Sequence, residues 1–290
     1  MAKRSLKKET PLFCLDDFTL KAKENSFYIE TLQTHLKNHA FISKPHKHDF
    51  YLLLYITKGG GEHVIDFKSY PMRPGSFFLM TPGQVHAWNL EDKTDGYIIF
   101  FQRHFYQLQS TENNLVEFPF FHSLHANPLL QLKKNHTIEV LIQDMLEEFS
   151  TSSTLDHRIL RSYLDLLLLK LAKEYPVKGQ KEFTNSSTFK LRKLEALIEE
   201  HYSILKTPGE YAELMNLSTA HLNMICKQNL GKTLSYLIQE RIILEAKRLF
   251  SYSDLTINQV SDQLNFADAS YFIRFFKKFT GITPVQFKKH

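Results

Sequence analysis

A helix–turn–helix unit is written twice in the last third of this 290-residue chain, and that duplication constrains the fold more than any other feature of the sequence. His221-Leu222, Lys227, Gly231 and Thr233 recur fifty residues later as Tyr271-Phe272, Lys277, Gly281 and Thr283. Further upstream the offset is forty-nine, so that Thr207, Asn216 and Leu217 return as Thr256, Asn265 and Phe266, and a one-residue indel in the turn accounts for the difference. Repetition of a whole supersecondary unit is not a product of chance.

In the second copy Phe272, Phe275, Phe276 and Phe279 fall at helical spacing and are predicted to hold one face in a core, with Ser270, Ile273 and Arg274 opposite and Lys277 and Lys278 toward the end. Gly281 is expected to cap the helix and Pro284 to forbid a restart. The predicted elements are an amphipathic helix Phe189–Tyr202, support helices Gly209–Met215 and Ile257–Leu264, second helices Thr219–Asn229 and Ala269–Phe279, and a continuous helix Thr233–Phe250 between the units. Thr207, Ser218, Thr256 and Asp268 are the expected N-caps. Asn216 and Asn265 stand where a tight turn needs positive φ, which Asn tolerates better than other non-glycine residues. The connecting helix, at about 1.5 Å per residue, spans roughly 27 Å. That suits placing two helices in successive major grooves, about 34 Å apart.

Charge agrees with a polyanionic partner for this part. Residues 189–290 hold 14 Lys and Arg against 10 Asp and Glu, whereas the preceding 188 are nearly balanced, within a total of 36 against 31. The two cysteines, Cys14 and Cys226, have no metal spacing and make no disulfide framework, which points to a reducing cytoplasm. No window has signal-peptide or transmembrane character, so no membrane partner is expected.

Residues 27–105 read as β structure. Phe50–Thr57 and Glu62–Phe67 are apolar, β-branched runs joined by Lys58-Gly-Gly-Gly61, a hairpin signal. Pro74-Gly75, Pro82-Gly83 and Gly96 separate Ser76–Met80 and Tyr97–Phe101. Many short strands between Gly/Pro turns predict a sandwich or small barrel. Two helices follow. Thr137–Ser150 carries Ile138, Leu141, Ile142, Leu146 and Phe149 on one face. The second, capped by Ser153 or Thr154, carries Leu155, Ile159, Tyr163, Leu166 and Leu167 on a stripe wide enough to meet a second copy of the chain, predicting a homodimer. The organisation expected is therefore α+β: a mobile segment 1–26, a β-barrel with dimerisation helices over 27–175, a polar linker 176–188, and an all-α domain 189–290.

Pro45-His46-Lys47-His48 and Pro82-Gly83-Gln84-Val85-His86 resemble the two motifs of cupin barrels, many of which bind a metal through three His and one Glu. His46, His48 and His86 match the three His positions, but Leu52 and Leu53 stand where the Glu is expected. Losing the anionic ligand weakens a hard-cation site, so no metal and no cofactor is assigned. No carboxylate pair or nucleophile–base grouping points to catalysis. The histidines, with Tyr51, Tyr55 and Trp88, are expected to line a small-molecule effector site.

The last hundred residues, above all Ala269-Ser-Tyr-Phe-Ile-Arg-Phe-Phe-Lys-Lys-Phe-Thr-Gly-Ile-Thr-Pro284, resemble the DNA-binding domain of the AraC family of transcription regulators. A cupin-like barrel with dimer helices is the effector half of many members. The resemblance implies a ligand-responsive regulator of transcription, with double-stranded DNA, a small effector (an aromatic acid or a sugar), a second copy and RNA polymerase as partners. It places base reading on Ala220, Asn223 and Met224 in the first unit and on Ala269, Ser270, Ile273 and Arg274 in the second, with Lys227, Lys277 and Lys278 on phosphate. A metal-binding cupin enzyme or metal sensor carrying a DNA module is the second reading.

Overall fold

The computed structural model describes residues 10–18, 26–39, 44–107, 115, 118–121, 126–133, 136–151, 157–176 and 186–289. They fall into two compact units, one within Pro11–Val177 and the other within Lys178–His290 together with Thr10.

The first unit is built on β2 (Phe27–Thr31), β4 (Tyr51–Lys58), β7 (Ser76–Met80), β9 (Asp95–Phe101) and β10 (Leu129–Gln131), which form an antiparallel sheet in the order β10-β7-β4-β9-β2. A smaller sheet orders β6 (Lys68–Met72), β5 (Gly61–Ile65) and β8 (His86–Leu90). The larger sheet is buried on both faces, which is why β4 reads as an unbroken apolar run rather than an alternation. Leu52, Leu54, Phe78, Ile98 and Phe100 face inward, sharing a core with Ile65 and Met72 of the smaller sheet. Tyr51, Leu53, Tyr55, Phe77, Ile99 and Phe101 point the other way, onto α3 (His136–Thr151) and α4 (His157–Glu174).

Three expectations for this unit are corrected. β4 and β5 are not a hairpin: they belong to different sheets, and the chain turns the corner through Gly59 (φ 73°) and Gly61 (φ 137°). A Cβ on Gly61 would lie 2.3 Å from the Asn89 carbonyl oxygen, so the close approach itself requires glycine. The hairpin is β5–β6, turned by Asp66 and Phe67 at φ 46° and 70°, the paired positive values that two-residue hairpins need. The second strand therefore ends at Ile65, not Phe67. The segment before residue 27 is also structured where described. β1 (Leu12–Phe13) pairs in parallel with β3 (Lys47–His48), and Leu15 and Phe18 of a following 3-10 turn are buried in the inner core.

The second unit is all helical: α5 (Ser186–His201), α6 (Pro208–Leu214), α7 (Thr219–Leu230), α8 (Leu234–Tyr252), α9 (Ile257–Gln263), α10 (Ala269–Thr280) and α11 (Pro284–Phe287). α5 starts within the stretch expected to be linker. Thr207, with Glu210, and Thr256, with Gln259, form capping boxes, while Ser218 and Asp268 accept from the third residue of their helices. Pro284 starts a helix instead of barring one. Thr283 is its N-cap, and proline at the first position gives up only a donor that has no intrahelical partner there. α8 is the axis of this unit. Its buried Arg241 makes two 2.7 Å bonds to Glu199 of α5 and one of 3.0 Å to Glu245, and its guanidinium lies 3.7 Å from the Tyr202 ring centroid.

Candidate nucleic-acid interface and histidine cluster

The two turns share one backbone device. Asn216 and Asn265 have φ 52° and 54°, so matched asparagines make matched left-handed turns between α6 and α7 and between α9 and α10. The helices that follow each bury one face and expose the other. Phe272 and Phe276 of α10 are fully buried, and Leu222, Ile225 and Cys226 do the same for α7. On the outer faces Ala220, Met224 and Lys227 are exposed in α7, and Ser270, Arg274, Lys277 and Lys278 in α10, with Ala269 and Ile273 half-buried at its edge. Each outer face runs along positions three and four apart, a strip of the width a major groove admits.

Asn223 is different. Its Oδ1 accepts the Leu234 N–H at 2.9 Å, the first backbone donor of α8, which has no partner within its own helix. Adenine recognition by Asn uses both Oδ1 and Nδ2, so an Oδ1 held by the backbone is a brace between α7 and α8. The second unit supplies the control. There the corresponding positions are Ile273 and Pro284: proline has no N–H, and no acceptor is needed.

In the first unit, the inward positions of the small sheet and of β3 bring histidines together. His46 and His86 exchange backbone hydrogen bonds of 3.0 and 2.8 Å, which sets their rings 4.4 Å apart. The His48 carbonyl accepts from Gly83 N–H, and β3 is held by β1. His48 Nε2 lies 2.8 Å from His86 Nε2, and His86 Nδ1 lies 2.9 Å from His63 Nε2. One ligand atom from each of His46, His48 and His86 lies within 4.8 Å of the others. Burial, reinforced by the neighbouring rings, holds the imidazoles of His48, His63 and His86 well below the usual histidine range, so they are neutral at pH 7. Burial lowers His46 as well, against an opposing bond to the Lys44 carbonyl.

His46, His48 and His86 thus meet as expected, and Trp88 stands beside them, its ring centroid 5.3 Å from that of His86 and its indole N–H without a hydrogen-bond partner among the described residues. Tyr51 and Tyr55 do not join them. They alternate with the inward residues of β4 and pack against Phe101 and Phe77 on the helix side, so their assignment to the effector site is withdrawn. His63 was missed by sequence reasoning, although it sits directly across from Trp88 in the pairing of β5 with β8.

The expected dimer stripe divides. Leu167 is fully buried on the unit's own sheet and is withdrawn from the interface, and Tyr163 packs at the edge of the same core. Ile159, Leu166 and Leu169 are 40, 45 and 54% exposed. Leu155 lies outside the described residues.

Comparison with known proteins matches residues 26–168 to the model described as AraC-like ligand binding domain and residues 211–290 to that described as helix-turn-helix domain. The uncharacterized HTH-type transcriptional regulator YfiF of Bacillus subtilis (strain 168) is 24% identical over 276 residues, covering 93% of this chain and 85% of its own. The HTH-type transcriptional activator RhaR of Cronobacter sakazakii is 22% identical over 242 residues, covering 82% and 84%. Among solved structures, unsaturated fatty acid bound ToxT from Vibrio cholerae aligns over 93% of this chain and 97% of its own, at 15% identity and TM-score 0.44.

Proposed function

The chain belongs to the AraC family of DNA-binding transcription regulators, with a ligand-binding domain ahead of its helix–turn–helix domain, and from that premise we propose how its parts divide the work. α10 is the principal reader: Arg274 pairs with guanine in a major groove, Ser270, Ile273 and Ala269 contact neighbouring base edges, and Lys277 and Lys278 bind phosphate. α7 adds Ala220 and Met224 as apolar base contacts and Lys227 on phosphate, with Asn223 reserved for the scaffold. The observation that carries this reading is Arg274 itself. It is exposed, makes no ion pair or hydrogen bond among the described residues, and stands on a helix whose opposite side is locked into the core by Phe272 and Phe276.

The effector site is the histidine cluster with Trp88, and the exposed stripe of α4 joins two copies, so that binding alters how paired DNA domains meet repeated half-sites. Activation is the output proposed, by analogy with the relatives named RhaR activators, through contact with RNA polymerase in the cytoplasm. No catalytic role is proposed.

Genomic footprinting supplies the operator on which Arg274→Ala is then measured. The substitution should relax preference at one base position, costing about 1–3 kcal/mol there. Equal loss on operator and random DNA would contradict base reading by Arg274.

A further inference from the structure

The two helix–turn–helix copies are carried on one axis, and what stops them turning about it decides which DNA a single chain can read. α8 is continuous over 19 residues, so its length is fixed, but the loop after its end is a place where the next helices can swing. Phe272 and Phe276 of α10 pack against Phe250 near that end. Apolar burial of this kind is non-directional and does not by itself set the roll of α10 about α8.

Two contacts outside that seam tie α10 back to the first copy. Lys206 stands just before Thr207, the N-cap of α6, and its Nζ lies 5.1 Å from the ring centroid of Phe266, the residue after the turn asparagine of the second copy. The lysine is held in the first copy. Its backbone N–H donates to Glu210 Oε2 at 3.0 Å, and its ammonium donates to the Ser203 carbonyl at 2.8 Å. The ring is held in the second copy, where it is buried, with the centroids of Tyr271, Phe272 and Phe275 at 5.9, 5.1 and 5.3 Å. Toward the other end of α10, Phe279 meets the ring of Tyr236, in the first turn of α8, at 5.2 Å. Lys232 backs that tyrosine, its Nζ 5.0 Å from the centroid and 2.9 and 2.8 Å from the two carboxylate oxygens of Glu240. Two separated points fix a roll that one leaves open.

Neither contact is a by-product of the duplication. At the offsets that relate the copies, Lys206 falls on Leu255, Phe266 on Leu217, Tyr236 on Gln286 and Phe279 on Asn229. Exchanging the copies would put no cation on an aromatic ring and no pair of rings together.

We infer that Lys206 and Phe266 are positioning residues for DNA recognition: their contact locks α10 to the first copy, so that one chain accepts the segments read by α7 and α10 at a single spacing. The inference rests on the reading of these two helices as base readers, and its test separates the two. On the footprinted operator one base pair is inserted or removed between the two segments, and full-length protein is titrated against the parent and shifted forms. The ratio of the two affinities is the spacing penalty, expected at about tenfold or more because a displaced helix loses its base contacts. Lys206→Met keeps the apolar stem and removes the cation. The penalty should then fall about two- to fivefold, the worth of a partly exposed cation–π contact, and Lys206→Arg should restore it. Phe266→Leu, which installs the residue of the first copy, should match Lys206→Met, and the double variant should add nothing further. Circular dichroism checks the fold of each. A folded Lys206→Met that keeps the parent penalty overturns the lock. So does an equal loss on parent and shifted operators, which marks Lys206 as a phosphate contact or a stability residue. In either case a base preference still lost in Arg274→Ala leaves the reader assignment standing and removes only the lock.

Discussion

Asn223 and Asn265 show how one residue type is used for two physical ends within one repeat. Asn265, like Asn216, is valued for a backbone: its φ of 54° is one that a β-branched residue adopts only under strain. Asn265→Gly should leave stability nearly unchanged. Asn265→Val should cost on the order of 1–3 kcal/mol in urea unfolding, and a neutral valine would show that the turn relaxes to another conformation. Asn223 is valued for an acceptor. Asn223→Ala leaves the Leu234 N–H unpaired and should destabilise by about 1–3 kcal/mol, whereas a base reader would lose discrimination at one operator position with stability intact. Asn265 was legible as a position in the repeat, but Asn223, whose counterpart is Ile273, was placed among the base readers, and its brace could not be read. The bond to Leu234 joins residues on two helices, and its sense emerges only beside Pro284, the counterpart that needs no acceptor. His63 was hidden in the same way. A single histidine in a strand carries no spacing signal, yet it shares a strand face with Ile65, and an inward histidine was a clue available from alternation alone.

At the scale of elements, helices were read closely because their caps are local: Ser218, Thr256 and Asp268 each bond a backbone three residues on. The four strands named from sequence are present, but β2, β6, β8 and β10 were not named, and β4 and β5 were paired wrongly, since Gly59 and Gly61 signal a turn without saying which sheet the chain enters. The face of β4 that carries Tyr51 and Tyr55 was misjudged because a strand buried on both sides has no polar alternation to orient it. Two elements also carry buried polar chemistry with measurable consequences. Arg241 ties α8 to α5 through Glu199, and removing it takes from Glu199 and Glu245 a buried guanidinium that both now bind. Arg241→Ala should cost about 3–5 kcal/mol in thermal or urea unfolding. A loss below ~1 kcal/mol would mean that water reaches the network and replaces the guanidinium. In α1 (Leu32–Asn38), His35 contacts the Tyr28 hydroxyl, and burial, with smaller repulsion from His39 and His46, lowers its pKa to about 3. A depressed histidine is neutral in the fold and charged in the unfolded chain below about pH 6.5. Its contribution is therefore complete above pH 6.5 and lost progressively as pH falls toward 3, at up to about 1.4 kcal/mol per pH unit for one proton. Urea unfolding at pH 7.5, 6 and 5 reads this slope. His35→Gln should flatten it by up to one proton's worth, and an unchanged slope would assign the acid sensitivity to other histidines.

The whole molecule adds a constraint that neither unit contains, because a regulator built from two reading helices per chain gains most when two chains act on repeated half-sites. The surface proposed for that pairing is the part of α4 that its own sheet leaves uncovered. Ile159 and Leu166 are seven residues apart, two helical turns along one side, with Leu169 close to the same line, whereas Leu164, Leu167 and Leu168 turn inward and are fully buried. This division makes the proposal separable from simple damage to the core. Ile159→Glu with Leu166→Glu should yield a folded monomer in analytical ultracentrifugation, since two charges on an exposed face cost the isolated chain little. Leu167→Glu should fail to fold, because it buries a carboxylate with no partner. The monomer should keep the base preference proposed for Arg274 on a single half-site and lose the added affinity that two linked sites confer, a factor of about 10² to 10⁴ where the geometry allows both to engage. A folded double variant that remains a dimer would move the interface away from α4. A monomer that binds the full operator as tightly as the parent chain would show that one chain, with its two helix–turn–helix units, already spans the sequence it reads.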